Sequence, residues 1–306
     1  MAEQSILVTG AGGMIGNALL RRLHAEGRRV VGLDRAALPD GAPDWPMEIG
    51  DLGDPHRLHA VLRRHNVTRL VHCGGISGPM LLRDNPFQLL ETNVHGTMHV
   101  FEAARIHALP RVVFMSSIAA YGDRRTDQSV SETTPLLAAD AYGASKVCGE
   151  AILRAYAERH GVDGVALRVS AVYGPRRTTD CLIREIIQNG LAGKPTILPY
   201  GAGWRRQYIN IEDVASALTL ALDREGLPQP AYNITGGINP TLEEVAAVVA
   251  ARVPGARAEF GGEPHPFDRP IGPLDIAAAR RDLGYAPQVS LADGVAAYAV
   301  WLKARE

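Results

Sequence analysis

Residues 5–34 constrain the fold of this 306-residue chain more strongly than any other stretch. The apolar run SILVT leads into the turn GAGG, then into a helical pattern that Gly27 ends, and then into a second apolar run, VVGL. Short apolar runs of this kind are typical of buried parallel strands. A strand, a glycine turn, a helix and a second strand make a βαβ unit of about 30 residues. The segment therefore predicts the beginning of a parallel sheet with helices packed against it.

The glycine turn has the spacing GxxGxxG, through Gly10, Gly13 and Gly16. It does not match GxGxxG, because Ile15 occupies the place of the last glycine. Glycines at such a turn permit a close approach of the main chain to a pyrophosphate, and the following helix N-terminus supplies free N–H groups. A glycine turn also occurs as a plain structural turn, so the dinucleotide-binding interpretation depends on the residues around it.

Asp34 supports that interpretation, because it ends the second predicted strand. An acidic residue at this distance from the glycine turn can bond the ribose hydroxyls of a dinucleotide. Its carboxylate would also repel a 2′-phosphate, which favours NAD over NADP as the cofactor. The neighbouring Arg35 could pair with such a phosphate, and this weakens the preference slightly.

The alternation of strands and helices continues through the first half of the chain. Further strands are predicted at MEIGDLGD, VTRLVHCGG, RVVFMSS and GVALRVSAVYGP, with helices over residues 55–65, 86–108 and 142–160. This order predicts an α/β fold with a doubly wound parallel sheet of the Rossmann type, whose ligands bind beyond the carboxyl ends of the strands. Candidate ligand-binding residues at those ends include Asp51, Gly74, Ser116, Ser117 and Ala171.

Two domains are expected. Residues 1–175 would form an NAD-binding Rossmann domain that also holds the catalytic centre. Residues 176–306 would form a smaller α/β domain, mainly for substrate, with some segments returning to the Rossmann core. Within this half, the sequence TLEE at Thr241 predicts a helix that begins with a capping box, and a last helix is predicted over residues 291–304.

The stretch DAYGASKVCGE places Lys146, one of only three lysines in the chain, four residues after Tyr142. Residues at this spacing lie on one face of a helix. Tyrosine is a poor base at neutral pH, but an adjacent ammonium favours the phenolate form. A phenolate can take the proton of a secondary alcohol while hydride leaves its carbon for nicotinamide, and Ser117 could orient the same oxygen. The alternative is an ordinary exposed helix face.

Composition excludes several other function classes. A net charge of −1 gives no strong field for nucleic acid or an anionic membrane, and no run reaches the roughly 20 apolar residues of a membrane span. The apolar run that begins at Ser5 leaves no room for a signal peptide. Three cysteines without a CxxC pair predict a reduced, cytoplasmic protein, and the ten histidines show no metal-ligand spacing.

The chain resembles the extended short-chain dehydrogenase/reductases, the NAD-dependent epimerase/dehydratase group that includes nucleotide-sugar epimerases. The resemblance covers nearly the whole chain. It rests on VTGAGGMIG, GDLGD, VHCGG, NVHGT, MSSIAAYG, YGASK, LRVSAVYGP, RRQYINIEDVA and DLGYAP. These motifs are highly specific for the superfamily and much less specific for the substrate.

The resemblance implies a role for each matching residue. The catalytic residues would be Ser117 as the active hydroxyl, Tyr142 as the acid/base, and Lys146. The implied NAD contacts are Gly10, Gly13, Met14, Ile15, Gly16, Asp34, Arg35, Asp51, Leu52, Gly74, Gly75, Asn93, Ser116, Tyr142, Lys146 and Val172, with glycines at 74 and 75 where the family usually has alanines. The expected substrate contacts are Ser77, Ser117, Ala171, Arg206 and Arg269. Tyr121 is expected to be structural.

Three reactions share this centre. Dehydratases of nucleotide sugars carry an Asp-Glu pair just after the active hydroxyl, where this chain has Ile118 and Ala119, so 4,6-dehydration is not expected. A nucleotide-sugar 4-epimerase of the UDP-glucose type and a dehydrogenase of a free sugar, sugar acid or small polyol both remain open. A third class, a binding protein or redox sensor, would be expected to lack the tyrosine and the lysine.

The half of the chain that is expected to bind the substrate does not decide between the epimerase and the dehydrogenase. Nucleotide-sugar enzymes commonly carry asparagine at the position of Ala171 and histidine at the position of Asn210. They also carry an arginine followed closely by Gly-Asp, whereas Arg269 and Gly272 of DRPIGP are not followed by an aspartate. Arg206 and Arg269 remain, and a guanidinium binds a diphosphate or a carboxylate equally well.

A homodimer is expected by resemblance. The predicted helices over residues 86–108 and 142–160 resemble the pair that forms a four-helix dimer interface in this family. Their small or apolar residues include Ala103, Ala104, Ala144, Val147, Ala151 and Leu153.

Overall fold

The computed structural model describes residues 4–38, 43–123, 128–264 and 270–305. The strands are β1 Ser5–Thr9, β2 Val30–Asp34, β3 Met47–Ile49, β4 Val67–His72, β5 Arg111–Ser117, β6 Gly164–Val169, β7 Ala171–Tyr173, β8 Thr196–Tyr200, β9 Tyr208–Asn210, β10 Ala231–Ile234 and β11 Ala258–Glu263. The helices are α1 Met14–Ala25, α2 Pro55–Arg64, α3 Pro86–Leu90, α4 Gly96–Ile106, α5 Ala141–His160, α6 Leu182–Leu191, α7 Ile211–Asp223, α8 Leu242–Arg252 and α9 Leu291–Lys303.

Within these ranges, seven parallel strands form the central sheet in the order β3–β2–β1–β4–β5–β6–β10. Val8 of β1 pairs with Gly32 of β2 on one side and with Val71 of β4 on the other. The chain runs outward in one direction from β1 to β3 and in the other from β4 to β6. At the junction of β1 and β4 the connections therefore diverge, and this leaves a crevice at the carboxyl edge of the sheet. The predicted doubly wound parallel sheet is confirmed.

Helices cover both faces of this sheet. On one face α1 packs with α7, and Leu19, Leu23 and Val214 contribute to a fully buried apolar layer. On the other face lie α2, α4 and α5, whose apolar layer includes Phe101 and Leu153. Because both faces are covered, all five residues of β1 are buried, which explains its uninterrupted apolar sequence.

The predicted sixth strand divides into two. β6 stays in the central sheet to Val169, and the main chain then leaves it at Ser170. The neighbouring strand β10 ends at Ile234, whose carbonyl accepts from the Ser170 N–H at 3.0 Å. Beyond this point the backbone groups need a new partner, and β7 pairs with β9 instead.

The predicted helix over residues 86–108 is also interrupted. A π-helical turn, Glu91–His95, separates α3 from α4, and α4 ends at Ile106. Such turns place one extra residue in a helix and are frequent at functional sites. Here the turn contains Asn93, whose side chain bonds the main chain of Ile76.

Some of the residues expected at a dimer interface are buried within the chain. Ala103, Ala104 and Leu153 are at most 2% exposed and belong to the apolar layer beneath α4 and α5. Their spacing on a helix does not reveal which face meets the sheet. Ala151 is exposed, whereas Ala144 and Val147 are partly buried.

The second half of the chain forms a separate apolar cluster from α6, α8 and α9, in which Ile183, Val249 and Tyr298 are fully buried. The predicted capping box is present, because Thr241 and Glu244 each accept a main-chain N–H from the other. β10 and α7 follow residue 176 in the sequence but pack in the layers of the central sheet. Among the described residues, no helix combines the length and apolar character needed to traverse a membrane.

Gly149 allows α5 to pack closely on the sheet. A Cβ at this position would lie 2.5 Å from Cζ of Phe114 on β5. We therefore expect Gly149→Ala to lower the free energy of unfolding by about 1–3 kcal/mol, measured by urea denaturation. Gly262→Ala is the matched control, because a Cβ there meets no atom within 4 Å. Equal unfolding midpoints for the two variants would contradict this account of the contact.

Candidate active site

A cavity of about 510 Å³ lies beyond the carboxyl ends of β1, β4 and β5, and the glycine turn forms one wall. A Cβ on Gly10 would lie 2.7 Å from the main chain of Cys73 and Gly74, and one on Gly16 would lie 2.2 Å from the Gly10 carbonyl. Neither position therefore has room for a side chain. The main chain itself forms this wall, as close approach to a pyrophosphate requires.

The N-terminus of α1 faces the same cavity. Met14 and Ile15 line the cavity, and Gly13 caps the helix without a side-chain hydrogen bond to its first turn. The first turn also contains no acidic residue. Free N–H groups and the partial positive charge of the helix end suit a phosphate at this point, so the turn fits the pyrophosphate of NAD.

Asp34 is fixed at the end of β2 by the main chain on both sides. Its Oδ2 accepts from the Gly12 N–H at 2.8 Å, and its Oδ1 accepts from the Arg35 N–H at 2.7 Å. Both Asp34 and Arg35 line the cavity. The fixed carboxylate fits ribose hydroxyls, whereas a 2′-phosphate here would meet a negative charge.

The loop after β3 continues this end of the cavity with Asp51 and Leu52. Asp51 accepts from the Gly53 N–H at 2.7 Å, and His99 of α4 contacts the Leu52 carbonyl at 2.8 Å. Both residues suit the adenine contact that the sequence predicted.

A buried hydrogen-bond chain fixes the ends of β1 and β4. His72 lies between Thr9, at 2.7 Å from Nδ1, and Thr97, at 3.0 Å from Nε2. Burial, with a smaller contribution from the Lys146 ammonium, lowers the pKa of His72 to about 3, so the ring is neutral. Thr97 donates its single hydroxyl hydrogen to the Asn93 carbonyl, which assigns the ring hydrogen of His72 to Nε2.

The Thr9 hydroxyl then donates to Nδ1 of His72 and accepts from the Gly74 N–H at 3.2 Å. Each N–H and O–H hydrogen in this hydrogen-bond network is donated once. The network therefore holds Gly74 on the cavity wall without a charged side chain.

Asn93 is not among the residues that line the cavity, and its cofactor contact stays a prediction. It is 4% exposed, and its side chain bonds both the N–H and the carbonyl of Ile76, at 2.7 and 3.0 Å. It also donates to Ser145 of α5 at 3.1 Å. Gly75 has a φ of +136°, and a Cβ there would lie 2.9 Å from Oδ1 of Asn93. Asn93 thus shapes the loop that reaches the cavity through Gly74, Gly75 and Ser77.

The structure brings Ser117, Tyr142 and Lys146 together on the cavity wall. Tyr142 and Lys146 are each 8% exposed, and the ammonium nitrogen lies 5.6 Å from the centroid of the tyrosine ring. That nitrogen donates to the Met115 carbonyl at 2.9 Å, which fixes the lysine against β5. Ser117 accepts from the Ala119 N–H at 3.2 Å.

Close packing places the start of α5 beside Ser117. A Cβ on Gly143 would lie 2.5 Å from the Ala119 carbonyl, and Asp140 caps the helix by accepting from the Gly143 N–H at 2.8 Å. Ile118 and Ala119 line the cavity next to Ser117. Neither side chain can exchange a proton.

A buried ion pair holds α5 against β6. Arg168 of β6 donates to Glu150 of α5, with a shortest distance of 2.6 Å, and also to the Tyr121 hydroxyl at 2.8 Å. Ser116 lines the cavity, but its hydroxyl donates to Glu150. Tyr121 is fully buried and donates to Asn233 at 2.7 Å, which agrees with its expected structural place.

Several of the expected substrate contacts line the cavity. They include Ala171 and Arg206, whereas Val172, also in the lining, is an expected NAD contact, and Arg269 lies outside the described residues. Sequence reasoning missed other lining residues: Arg177, Thr178, Thr179, Trp204, Gln207 and Ile271. The position of RRTTD just after β7 could have indicated the first three. No sequence signal places Trp204 or Ile271 here. The pairing of β7 with β9, and the hydrogen bonds of Gln207 to the main chain of Gly272 and Leu274, bring their segments together only in the folded chain.

Comparisons with known proteins agree with this geometry. The sequence model of the NAD-dependent epimerase/dehydratase family matches residues 6–235. The dTDP-glucose 4,6-dehydratase of Streptomyces griseus is 30% identical, covering 97% of this chain and 93% of that protein. The UDP-glucose 4-epimerase of Mycolicibacterium smegmatis is also 30% identical, covering 95% of this chain and 96% of that protein.

A solved structure is similar over the whole chain. The Thermus thermophilus UDP-glucose 4-epimerase in complex with NAD superposes with a TM-score of 0.88 at 27% identity, covering 98% of this chain and 99% of that one.

Replacing Asp34 tests its part in cofactor choice. We expect Asp34→Asn to reduce the ratio of NAD to NADP affinity by roughly tenfold or more, because the charge that opposes the 2′-phosphate is lost. Asparagine keeps an acceptor for the Gly12 N–H, so the turn should stay in place, whereas Asp34→Ala removes the acceptor as well. Titration of each variant with both dinucleotides measures the effect. A wild-type protein that already prefers NADP would refute the assignment.

Proposed function

The chain belongs to the NAD-dependent epimerase/dehydratase family, and from this premise we propose that it transfers hydride at a secondary hydroxyl of a sugar, as a nucleotide-sugar 4-epimerase of the UDP-glucose type. The observation that carries the proposal is the composition of the cavity beside the active hydroxyl. Ser117, Tyr142 and Lys146 line it together, and the adjacent Ile118 and Ala119 are apolar. The site thus has the groups for proton exchange with one hydroxyl and little else.

Each residue of the chain has a distinct task in this reaction. NAD, when bound, supplies the group that accepts hydride and returns it. Tyr142 takes the proton of the sugar hydroxyl and later gives it back, Ser117 bonds the same oxygen, and the Lys146 nitrogen lies 5.6 Å from the centroid of the Tyr142 ring. The Met115 carbonyl keeps the ammonium within reach of the tyrosine. Gly10, Gly13 and Gly16 would hold the pyrophosphate and Asp34 the adenosine ribose.

Dehydration is the less suitable reaction, although relatives of 30% identity include dTDP-glucose 4,6-dehydratases. Elimination of water requires a base for a carbon-bound proton and an acid for the leaving hydroxyl. Within the described residues, the acidic side chains that line the cavity are Asp34, Asp51 and Asp140. Asp34 ends β2, Asp51 follows β3, and Asp140 caps α5. The positions next to Ser117 hold no carboxylate.

The alternative is a dehydrogenase of a free sugar, sugar acid or small polyol. Ala171 favours it, because this lining residue offers no side-chain hydrogen bond where nucleotide-sugar enzymes commonly have an asparagine. Dehydrogenation would use the same three catalytic residues once and then release NADH.

Tyr142→Phe tests the proposed catalytic role of Tyr142. We expect turnover of UDP-glucose to UDP-galactose to fall by about 10²–10⁴-fold, because the group that exchanges the proton is removed. Affinity for NAD should stay nearly unchanged. Tyr156→Phe is the matched control, since Tyr156 lies on the same helix, bonds Glu102 and does not line the cavity. Wild-type rates in Tyr142→Phe would remove the central claim.

The NAD(H) content of freshly purified protein separates the two candidate reactions. Near one cofactor per chain favours an epimerase, which regenerates its cofactor in every cycle. A protein that binds added NAD reversibly and releases NADH with a free sugar or sugar acid favours the dehydrogenase.

We further propose that two copies of the chain associate through α3, α4 and α5. Apolar side chains are exposed on these helices, including Phe87 at 74% and Met98 at 43%. Ala151 and Cys148 are exposed on α5, which contacts both α3 and α4. Exposed apolar side chains grouped on adjacent elements mark association surfaces.

Met98→Glu combined with Ala151→Glu should convert the dimer into a monomer, because carboxylates would be buried at the interface. Light scattering after size exclusion measures the mass. Val300→Glu is the control, since Val300 is 71% exposed on the distant helix α9, and this variant should remain dimeric. A monomeric wild-type protein would contradict the proposal.

A further inference from the structure

Gln207 connects three segments of the cavity wall. It precedes β9, lines the cavity and is only 5% exposed. Its carbonyl accepts from the Ala171 N–H of β7 at 3.0 Å. Its side chain reaches a third segment, residues 271–275, where Nε2 donates to the Gly272 carbonyl at 3.0 Å and Oε1 accepts from the Leu274 N–H at 2.9 Å. The pair β7 and β9 is thus joined to a segment that lies 65 residues further along the chain.

These two bonds define the orientation of the Gln207 amide. A main-chain carbonyl only accepts and a main-chain N–H only donates, so the amide nitrogen faces Gly272 and the amide oxygen faces Leu274. Both partner residues are buried, so removal of the amide would leave a buried carbonyl and a buried N–H without these bonds. A carboxylate at this position could accept from Leu274 but could not donate to Gly272. The pair of bonds therefore requires a side chain that both donates and accepts.

The opposite edge of residues 271–275 is held by a different part of the chain. Val130 donates to the Pro273 carbonyl at 2.7 Å and accepts from the Asp275 N–H at 3.0 Å. Alternate residues of the segment thus face opposite neighbours, Gln207 on one side and Val130 on the other. Without the Gln207 side chain the segment would remain attached along one edge, so we expect it to shift locally while the protein stays folded.

Ile271 is the residue of this segment that lines the cavity, together with Ile118 of the turn after Ser117. Both isoleucines pack against one small apolar cluster, which is formed by Tyr121, Val130 and Leu274. The wall near Ser117 therefore includes a side chain whose main chain is held in place by Gln207.

We propose that Gln207 is a positioning residue for the substrate: its amide holds Ile271 in the cavity wall, and Ile271 meets the ligand beside Ser117. The inference rests on the proposed function, since it takes that ligand to be the sugar whose hydroxyl reacts. The glycine turn and Asp34, which are proposed to hold NAD, follow β1 and end β2. Loss of the Gln207 amide should therefore weaken substrate binding and leave NAD binding nearly unchanged.

Gln207→Glu makes the bond to Gly272 depend on pH. The ionised carboxylate places a negative charge against the Gly272 carbonyl, whereas the protonated acid has an O–H that can donate to it. Burial disfavours the charged form and raises the pKa of the introduced carboxyl. The wall is therefore expected to be intact at low pH and disturbed as the pH rises through that pKa. Gln207→Leu removes both bonds at every pH.

The test is calorimetric titration of the full-length, NAD-loaded proteins with UDP-glucose between about pH 5.5 and pH 8.5. We expect Gln207→Leu to weaken binding by about tenfold or more throughout, because both bonds to the wall are lost. Gln207→Glu should bind as weakly as Gln207→Leu at high pH and recover to within about threefold of the wild type at low pH. The wild type carries the same neighbouring charged groups, including Arg206 and Asp275, and corrects for their effect.

Gln288→Leu is the matched control. Gln288 is exposed, its side chain bonds the Ala286 carbonyl at 3.0 Å, and it does not line the cavity. This variant should bind UDP-glucose and NAD as the wild type does. A merely structural role for Gln207 predicts a lower Tm with unchanged affinity for UDP-glucose, and no recovery of affinity at low pH.

Amide hydrogen exchange of the peptide that contains Leu274 tests the same bond without a substrate. We expect the Leu274 N–H to exchange about tenfold faster or more in Gln207→Leu than in the wild type, and at the wild-type rate in Gln288→Leu. The proposal is overturned by an unchanged exchange rate, by wild-type affinity for UDP-glucose in Gln207→Leu, or by an affinity of Gln207→Glu that does not change with pH. If the wild type does not bind UDP-glucose, the epimerase proposal fails, whereas the exchange rates still decide whether Gln207 holds Ile271 in the wall.

Discussion

The close contact of β1, β4 and α1, which glycines permit, is the constraint on which the rest of the site depends. At Gly10 and Gly16 the main chain occupies the space that a Cβ would need. This contact brings the end of β4 against the glycine turn and aims the N-terminus of α1 into the crevice. The neutral chain Thr9–His72–Thr97 then fixes the adjoining loop by hydrogen bonds alone. A phosphate can therefore be met by main-chain N–H groups instead of a cationic side chain.

A second set of contacts holds the catalytic helix against the sheet. Gly149 and Gly143 allow α5 to approach β5 and the turn after it, and Lys146 is anchored on the Met115 carbonyl. Behind the cavity, the buried pair of Arg168 and Glu150 joins α5 to β6. A buried pair of this kind adds little net stability, but its loss on one side is costly, so it strongly disfavours any other placement of the helix. The positions of Tyr142 and Lys146 are thus set by the contacts of α5 with β5 and β6.

The side chains that line the cavity also limit the chemistry that the site can support. Beside Ser117 the lining side chains Ile118 and Ala119 are apolar and cannot exchange a proton. Arg177 and Arg206 also line the cavity, on segments that follow β6 in the chain. In the proposed reaction, proton exchange would therefore depend on the central sheet and α5, and substrate recognition on the second half of the chain.

The sequence by itself determined the parallel sheet, the glycine turn, Asp34 and the Tyr142–Lys146 pair, because each depends on local spacing or on one uninterrupted apolar run. It did not determine that β6 breaks at Ser170, that Asn93 lies behind the cavity wall, or that Ala103 and Leu153 face the sheet. Those outcomes depend on partners distant in the chain, such as Ile234, Ile76 and Phe114. Trp204 and Ile271 became identifiable as lining residues only in the tertiary structure, for the same reason. Which side chains line a cavity is decided by packing between segments that local spacing does not relate.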